Sequence, residues 1–415
     1  MENLEADIAI IGAGVVGVCC AITLQQAGLR VALIDRDGIS EGCSKGNAGH
    51  FATEQVLPLA TPGLLWKIPG MLLDPLGPVA IRWPYLPRIA PWLMQFMLNT
   101  RKAPFEQGAD ALTSLNEASL PAWLRLLQQT GAEDQLKIDG SVLVFEKDQS
   151  FKDYQTTRET LTRHGVNSAL LSGDQVREME PHLSAGIRHG VFFPDTGHTA
   201  NPHRLTKTLA DFFVSNGGRF VQQPVSDLRT LDGGVAFQMG DSQVQVPKLV
   251  LATGAWSRSL VKQLTHTSIP LDTERGYHLM LPNDANQLRL PVSSADRRFI
   301  MSPMDEGLRL AGTVEFGGLE LPANMERAKM LSKHARALLP SLDNTQGECW
   351  MGFRPSLPDS LPVIDRVGPQ GQVLLAFGHQ HLGLTQAALT AELIRDLAHA
   401  ETPDINLEPF SLGRF

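Results

Sequence analysis

Cysteine is scarce in this chain: four in 415 residues, at positions 19, 20, 43 and 349. No two are spaced as Cys-x-x-Cys. This usage excludes a disulfide framework and a cysteine zinc site, and it fits a reducing, cytoplasmic compartment. No other metal site is read from the sequence. Basic charge is also limited. The net charge is −8 with no basic tail, which argues against nucleic acid as a partner. No stretch has 18 uninterrupted apolar residues, so no segment reads as membrane-spanning. The first apolar run stops at Ile11, and Met1–Asp7 carries Glu2, Glu5 and Asp7 rather than lysines, so no secretory leader is read. Repeats and low-complexity segments are absent. What remains is an ordinary globular composition, 43% hydrophobic and 19% charged, long enough for two domains and a large core.

The most informative stretch is 6–35. It reads as an apolar strand, the turn Gly12-Ala13-Gly14-Val15-Val16-Gly17, a helix, a second apolar strand and a closing carboxylate, Asp35, followed by Arg36. Gly12 allows the tight turn. Gly14 lets backbone approach a pyrophosphate, and Gly17 lets the helix pack closely on the sheet. The helix N-terminus directs free N–H groups at the phosphates. Asp35, 23 residues after Gly12, stands where a carboxylate accepts the hydroxyls of an adenosine ribose.

Further along, apolar periodicity predicts helices at Leu112–Gln129, Lys152–His164, Leu205–Asn216 and about Asn324–Leu339. Strands are read at Arg219–Val221, Val225–Leu228, Gly234–Met239, Val244–Val246, Tyr277–Leu281, Phe299–Ser302 and Leu308–Thr313. Lys248–Leu251 reads as a buried parallel strand ending in the small residues Ala252-Thr253-Gly254. The end of the chain returns to strand (Val373–Phe377), glycine turn (Gly378–Gly383) and helix (Leu384–His399). This far strand–turn–helix implies a discontinuous nucleotide domain. The fold class is therefore α/β: a Rossmann-like nucleotide domain from residues 1–95, 180–255 and 345–415, with a mixed-sheet substrate domain from 96–179 and 256–344.

Residues 56–97 are apolar and rich in Pro and aromatics, with almost no acidic side chains. The prolines forbid one long helix. Two readings stay open. One is a set of short helices covering the active site. The other is a surface that enters a bilayer interface, with Trp66, Lys67, Arg82 and Trp83 at headgroup level.

Five segments together carry a resemblance: Gly12–Gly17; Gly42-Cys43-Ser44-Lys45-Gly46-Asn47-Ala48-Gly49; Ala252–Trp256; Gly352-Phe353-Arg354-Pro355; and Gly378-His379-Gln380-His381-Leu382-Gly383-Leu384. Over essentially its whole length the chain resembles the FAD-dependent D-amino-acid oxidase and glycine oxidase superfamily. Within it the nearest resemblance is to bacterial D-amino-acid dehydrogenases and their D-hydroxyproline branch. The resemblance implies non-covalent FAD: the position where sarcosine oxidases carry a flavin-linking cysteine reads as Gly352, with Cys349 three residues early. It implies oxidation of a D-amino acid, such as cis-4-hydroxy-D-proline, by hydride transfer from Cα to flavin N5. The amine is then neutral and no side chain acts as acid or base. Electrons would leave to a quinone or respiratory carrier, and the protein would be cytoplasmic, peripheral on the inner membrane face. A homo-oligomer is also open. An oxygen-using amine oxidase and a non-catalytic flavin subunit are the alternatives.

The same resemblance assigns roles. Gly12, Ala13, Gly14, Val15, Val16 and Gly17 line the pyrophosphate, Asp35 binds the ribose, and Arg36 also contacts the cofactor. Ser44, Asn47, Ala48 and Gly49 follow the phosphates and flavin edge. Val225, Ala252, Thr253 and Gly254 lie by the nucleotide, and Gly378, His379, Gly383, Leu384 and Thr385 by the pyrimidine end of the flavin. Arg354 is the expected carboxylate clamp, because a rigid guanidinium makes two parallel bonds to a carboxylate. His381 binds carboxylate or a ring hydroxyl, or supports backbone beside the flavin. His50 is pocket wall or substrate contact. Tyr277 donates its hydroxyl to substrate or is a core aromatic. The carboxylate-binding tyrosine of the oxidases, expected just before Pro303, is replaced by Ile300 or Phe299.

Overall fold

The computed structural model describes residues 2–63, 77, 79–282, 284, 287–342 and 346–415. The strand Ile8–Ile11, apolar and buried throughout, lies at the centre of a six-stranded sheet. Its strands run in the order Arg219–Gln222, Val31–Asp35, Ile8–Ile11, Lys248–Leu251, Val373–Phe377 and Val363–Val367. The first five are parallel and the last antiparallel. Parallel strands need cover on both faces. On one face the helices Val15–Gln26 and Gly383–Ala398 pack together, joined by Lys102–Thr130 and Pro202–Ser215. Cys19 and Cys20 are fully buried there. On the other face lie the antiparallel strands Val225–Leu231, Gly234–Met239 and Ser242–Val246 and the helix Ser257–Thr265.

A second, larger mixed sheet follows the order Glu348–Ser356, Asp272–Leu281, Gly307–Phe316, Phe299–Met304, Val292–Ser294, Ser141–Phe145, His189–Phe193 and Ala169–Ser172, with Val79–Ile81 paired on Gly307–Phe316. Leu279, Leu281, Met301, Leu308 and Leu310 point to one face and bury the helix Glu326–Leu338. The alternate residues point the other way, toward the first sheet: His278 Nδ1 meets the Gly46 carbonyl at 3.1 Å. Three segments that the sequence reading gave to the nucleotide domain, Val79–Ile81, His189–Phe193 and Glu348–Ser356, are hydrogen-bonded into this larger sheet. Domain edges drawn on chain position miss such exchanges, because pairing depends on strands distant in sequence.

Candidate active site

The strand Ile8–Ile11 ends in a turn that only glycine can make. Gly12 has φ +106°, and a Cβ there would lie 2.4 Å from the Ala252 carbonyl oxygen. At Gly17 a Cβ would lie 1.8 Å from the Gly12 oxygen, so the first helix begins pressed against the turn. Its first-turn N–H groups have no partner within the helix; that of Val15 donates to Ser44 Oγ at 3.0 Å. Asp35 shapes the turn from the next strand. Its carboxylate accepts from Ala13 N–H at 2.8 Å, and from Asp37 and Gly38 N–H at 2.8 and 3.2 Å.

A long cleft opens over these groups. Of the residues expected at a cofactor, Gly12, Gly14, Val15, Val16, Asp35, Arg36, Ser44, Asn47, Val225, Ala252, Thr253, Gly254, Gly378, His379, Gly383 and Leu384 line it. Ala13, Gly17, Ala48, Gly49 and Thr385 do not form its wall. Their backbone or side chains are committed elsewhere: Ala13 N–H to Asp35, Gly17 under the turn, and Thr385 Oγ1 to the Ala52 N–H at 2.9 Å. The His379 ring pairs with Thr390 Oγ1 at 3.0 Å. Gln223, Trp256, Phe353 and Gln380 also line the cleft. Arg36 lies over the Trp256 ring, 4.3 Å from its centroid. A helix N-terminus, a side-chain-free turn, a carboxylate at the end of the second strand and an aromatic–arginine wall suit a dinucleotide bearing a flat ring system.

Beside this cleft stands Arg354, on the edge strand of the larger sheet. A Cβ at Gly276 would lie 2.3 Å from its Cζ, so the guanidinium lies flat on a glycine. Among the described residues it makes no hydrogen bond and no ion pair. Glu274 sits opposite it in strand register but takes its bond from Ser356 Oγ at 2.6 Å, and burial pushes that carboxyl's pKa up.

His381 lies within the glycine turn. Burial and the Arg354 charge push its pKa down to about 4. Burial, with Arg309 in second place, takes His278 to about 3, and burial alone takes His379 to about 3. All three rings are therefore neutral at pH 7. His50 is buried and its Nε2 pairs with Glu54 Oε1 at 3.0 Å.

Tyr277 is not a site residue. It is fully buried on the helix side of the larger sheet, donates to Glu315 Oε2 at 2.7 Å and accepts from Asn324 N–H at 3.2 Å. Strand alternation, locally shifted by a bulge at Gly276/Tyr277, turns it away. Of the two candidates before Pro303, Phe299 is packed in the helix-side core, while Ile300 shares a row with Ala311 and His278 on the cleft-facing side.

Residues not singled out in the sequence complete the wall. Arg309, 6% exposed, donates to the Asn47 carbonyl, and burial lowers its pKa to about 10. Trp350 lies against Gly46 and stacks on His278 with ring centroids 4.9 Å apart. The alternation of Leu308-Arg309-Leu310 was the available signal for Arg309. Among the described residues, no group of His, Cys, Asp and Glu is placed to hold a metal ion, and no helix is long and apolar enough to cross a membrane.

Residues 7–397 match the family described as DAO, FAD dependent oxidoreductase. The chain belongs to that family. It is an oxidoreductase and its cofactor is FAD. A D-amino-acid oxidase from Bradyrhizobium diazoefficiens is 35% identical over 417 residues, covering 98% of each chain. The solved glycine oxidase from Geobacillus kaustophilus superposes with a TM-score of 0.77 at 21% identity, covering 100% of both chains. An L-proline dehydrogenase from P. horikoshii gives 0.74 at 18% identity, over 99% of this chain and 97% of its own. At these identities the structural likeness is one of fold: an α/β FAD domain with a mixed-sheet partner.

Proposed function

We propose that this FAD-dependent amino-acid oxidoreductase oxidises D-amino acids, with a preference for proline-like rings such as cis-4-hydroxy-D-proline, and passes the electrons to a quinone or respiratory carrier. The observation that carries the reading is Arg354. A guanidinium free of protein partners, laid on a glycine beside the cofactor cleft, is a ready clamp for an α-carboxylate. When bound, FAD supplies the two-electron acceptor for the substrate α-hydrogen. The chain's task is to fix which face of Cα is presented. Arg354 holds the carboxylate by two parallel bonds, the neutral His381 ring offers a hydrogen bond without competing for the anion, and Ile300 and Trp350 limit the ring's freedom. D-stereochemistry is supported by the 35% identical relative, named a D-amino-acid oxidase; the ring preference rests on the resemblance in the motifs. Non-covalent attachment of FAD is supported by Cys349, which packs on the helix side of its sheet.

The quinone acceptor rests partly on the surface at 56–97, of which residues 64–76 and 78, including Trp66 and Lys67, lie outside the described residues. Because the same relative is named an oxidase, oxygen is the competing acceptor. The decisive experiment is anaerobic bleaching of the bound flavin across a panel of D- and L-amino acids including both hydroxy-D-proline epimers, followed by reoxidation with oxygen or a soluble quinone. D-proline and its hydroxylated forms should bleach fastest and quinone should reoxidise fastest. Rapid reduction by L-proline with none by D-proline would overturn the stereochemical assignment.

A further inference from the structure

The loop after Gly49 buries a carboxylate that the protein only half partners. The Glu54 side chain is 11% exposed. Its Oε1 pairs with His50 Nε2 at 3.0 Å and meets Gln55 Nε2 at 3.4 Å. Its Oε2 is buried with no hydrogen-bond partner among the described residues, and so is His50 Nδ1 on the other side of the pair. A buried carboxylate oxygen without a donor is costly, and native structures keep one where something outside the fold supplies the donor.

The surroundings say where that donor comes from. The loop is pinned by the bond from Ala52 N–H to Thr385 Oγ1 and by Asn116 Nδ2, which reaches the carbonyls of Ala52, Thr53 and Gln55. Thr385 opens the helix that follows His381. On the other side of His381, Gln380 N–H donates to the Pro355 carbonyl at 3.0 Å, next to Arg354. The charges of both Glu54 and Arg354 act on the His381 ring. The result is a bipolar arrangement: a cation on the sheet edge, a neutral ring, and an anion fixed by His50.

We propose that Glu54, oriented by His50, is a second recognition subsite, which accepts a hydrogen bond from a hydroxyl or protonated nitrogen carried by the substrate at the end away from its carboxylate. The inference rests on the reading that Arg354 holds that carboxylate. It gives hydroxylated proline-like substrates an advantage over plain D-proline. A hydrogen bond to a buried charged acceptor gives roughly ten-fold or greater discrimination against an analogue lacking the donor.

The test uses the FAD-loaded protein and two ligands with no amine to oxidise, cyclopentanecarboxylate and cis-3-hydroxycyclopentanecarboxylate, with binding read as perturbation of the flavin absorbance. The wild type should bind the hydroxylated ligand about ten-fold tighter. In Glu54→Ala the ratio of the two constants should collapse to near one, and in His50→Gln to an intermediate value. Glu54→Asp, which keeps the charge but shortens its reach, serves if the alanine variant loses flavin; it should reduce the ratio as well. A wild type that does not discriminate, a ratio that survives Glu54→Ala, or an equal loss for both ligands would overturn the subsite. Intact discrimination with no oxidation of any D-amino acid would defeat the proposed reaction and leave the subsite standing. Failure of both ligands to bind, or binding indifferent to Arg354→Lys, would remove the carboxylate clamp and the subsite with it.

Discussion

A guanidinium can work as a fork only where its plane has room, and Gly276 provides that room under Arg354. Lysine at 354 keeps the charge but loses both the plane and the second parallel bond. We expect Arg354→Lys to lower kcat/KM by roughly 100-fold, about 3 kcal/mol of transition-state positioning, with flavin content unchanged. Near-wild-type kinetics would remove Arg354 from the carboxylate. The histidines carry a second expectation. His278, His379 and His381 have pKa values pushed down to about 3, 3 and 4, below the ordinary 6.5. On acidification the unfolded chain takes protons first, so the stability held above pH 6.5 is lost progressively as the pH falls toward 4. The thermal midpoint should drop over that window. His379→Asn, which removes the ring paired with Thr390 Oγ1, should show a lower midpoint but a shallower fall between pH 6.5 and 4.5. Parallel curves for the two proteins would mean that the buried imidazole does not set the slope.

The elements that build the cleft tolerate very little. The Cβ of any residue at 17 would meet the Gly12 carbonyl oxygen at 1.8 Å, and backbone on both sides cannot yield cheaply. Gly17→Ala should therefore push the first helix away from the turn, costing about 1–3 kcal/mol of stability and most of the bound flavin. Purified protein with a full complement of FAD would count against that packing. This part of the molecule was legible because its signals are contiguous: strand, glycine turn, helix and carboxylate fall within thirty residues, and the strands Gly234–Met239 and Val373–Phe377 have the bounds read from sequence. Elsewhere the pattern was partial. The strand read as Tyr277–Leu281 begins at Asp272, because Asp272, Thr273, Glu274 and Arg275 are buried polar residues that hydrophobicity does not mark. Arg275 is satisfied by the carbonyls of Gly317, Gly318 and Leu321. The choice between the two readings of Tyr277 was not legible for a related reason: a bulge and the strand register, not residue type, decide which face a side chain takes. Trp350, Arg309 and Glu54 were missed likewise, since each reaches the site through pairing or loop anchoring that no short motif encodes.

At the scale of the whole molecule, the cleft and the candidate substrate wall occupy the seam between the two sheets, while a different face holds the most unusual surface. The helix Leu86–Asn99 buries Ile89 and Trp92 against Phe316. Its opposite side exposes Met94, Met97 and Leu98, and just before it Trp83 is 82% exposed. A helix that is apolar on both sides yet not enclosed has a face that water does not favour. The charged residues from Val79 to Phe105 are Arg82, Arg88, Arg101 and Lys102, with no acidic residue among them. Arg88 lies 3.7 Å from Glu320 and Lys102 3.8 Å from Glu106, both pairs exposed, where solvent leaves such pairs weak. On the proposed reading, in which a quinone takes the electrons, apolar side chains ringed by cations would be the surface that meets an anionic bilayer. The double variant Met94→Glu/Leu98→Glu changes only exposed side chains, away from the Trp92 that donates to the Ser356 carbonyl, and should leave anaerobic flavin reduction unchanged. It should lower co-sedimentation with phosphatidylglycerol-containing vesicles, and lower reduction of a quinone dissolved in them, by about ten-fold, as expected when two apolar contacts are replaced by charges that the lipid repels. Undiminished sedimentation would assign this face to another partner, and a concentration-dependent dimer abolished by the same substitutions would identify that partner as a second copy of the chain.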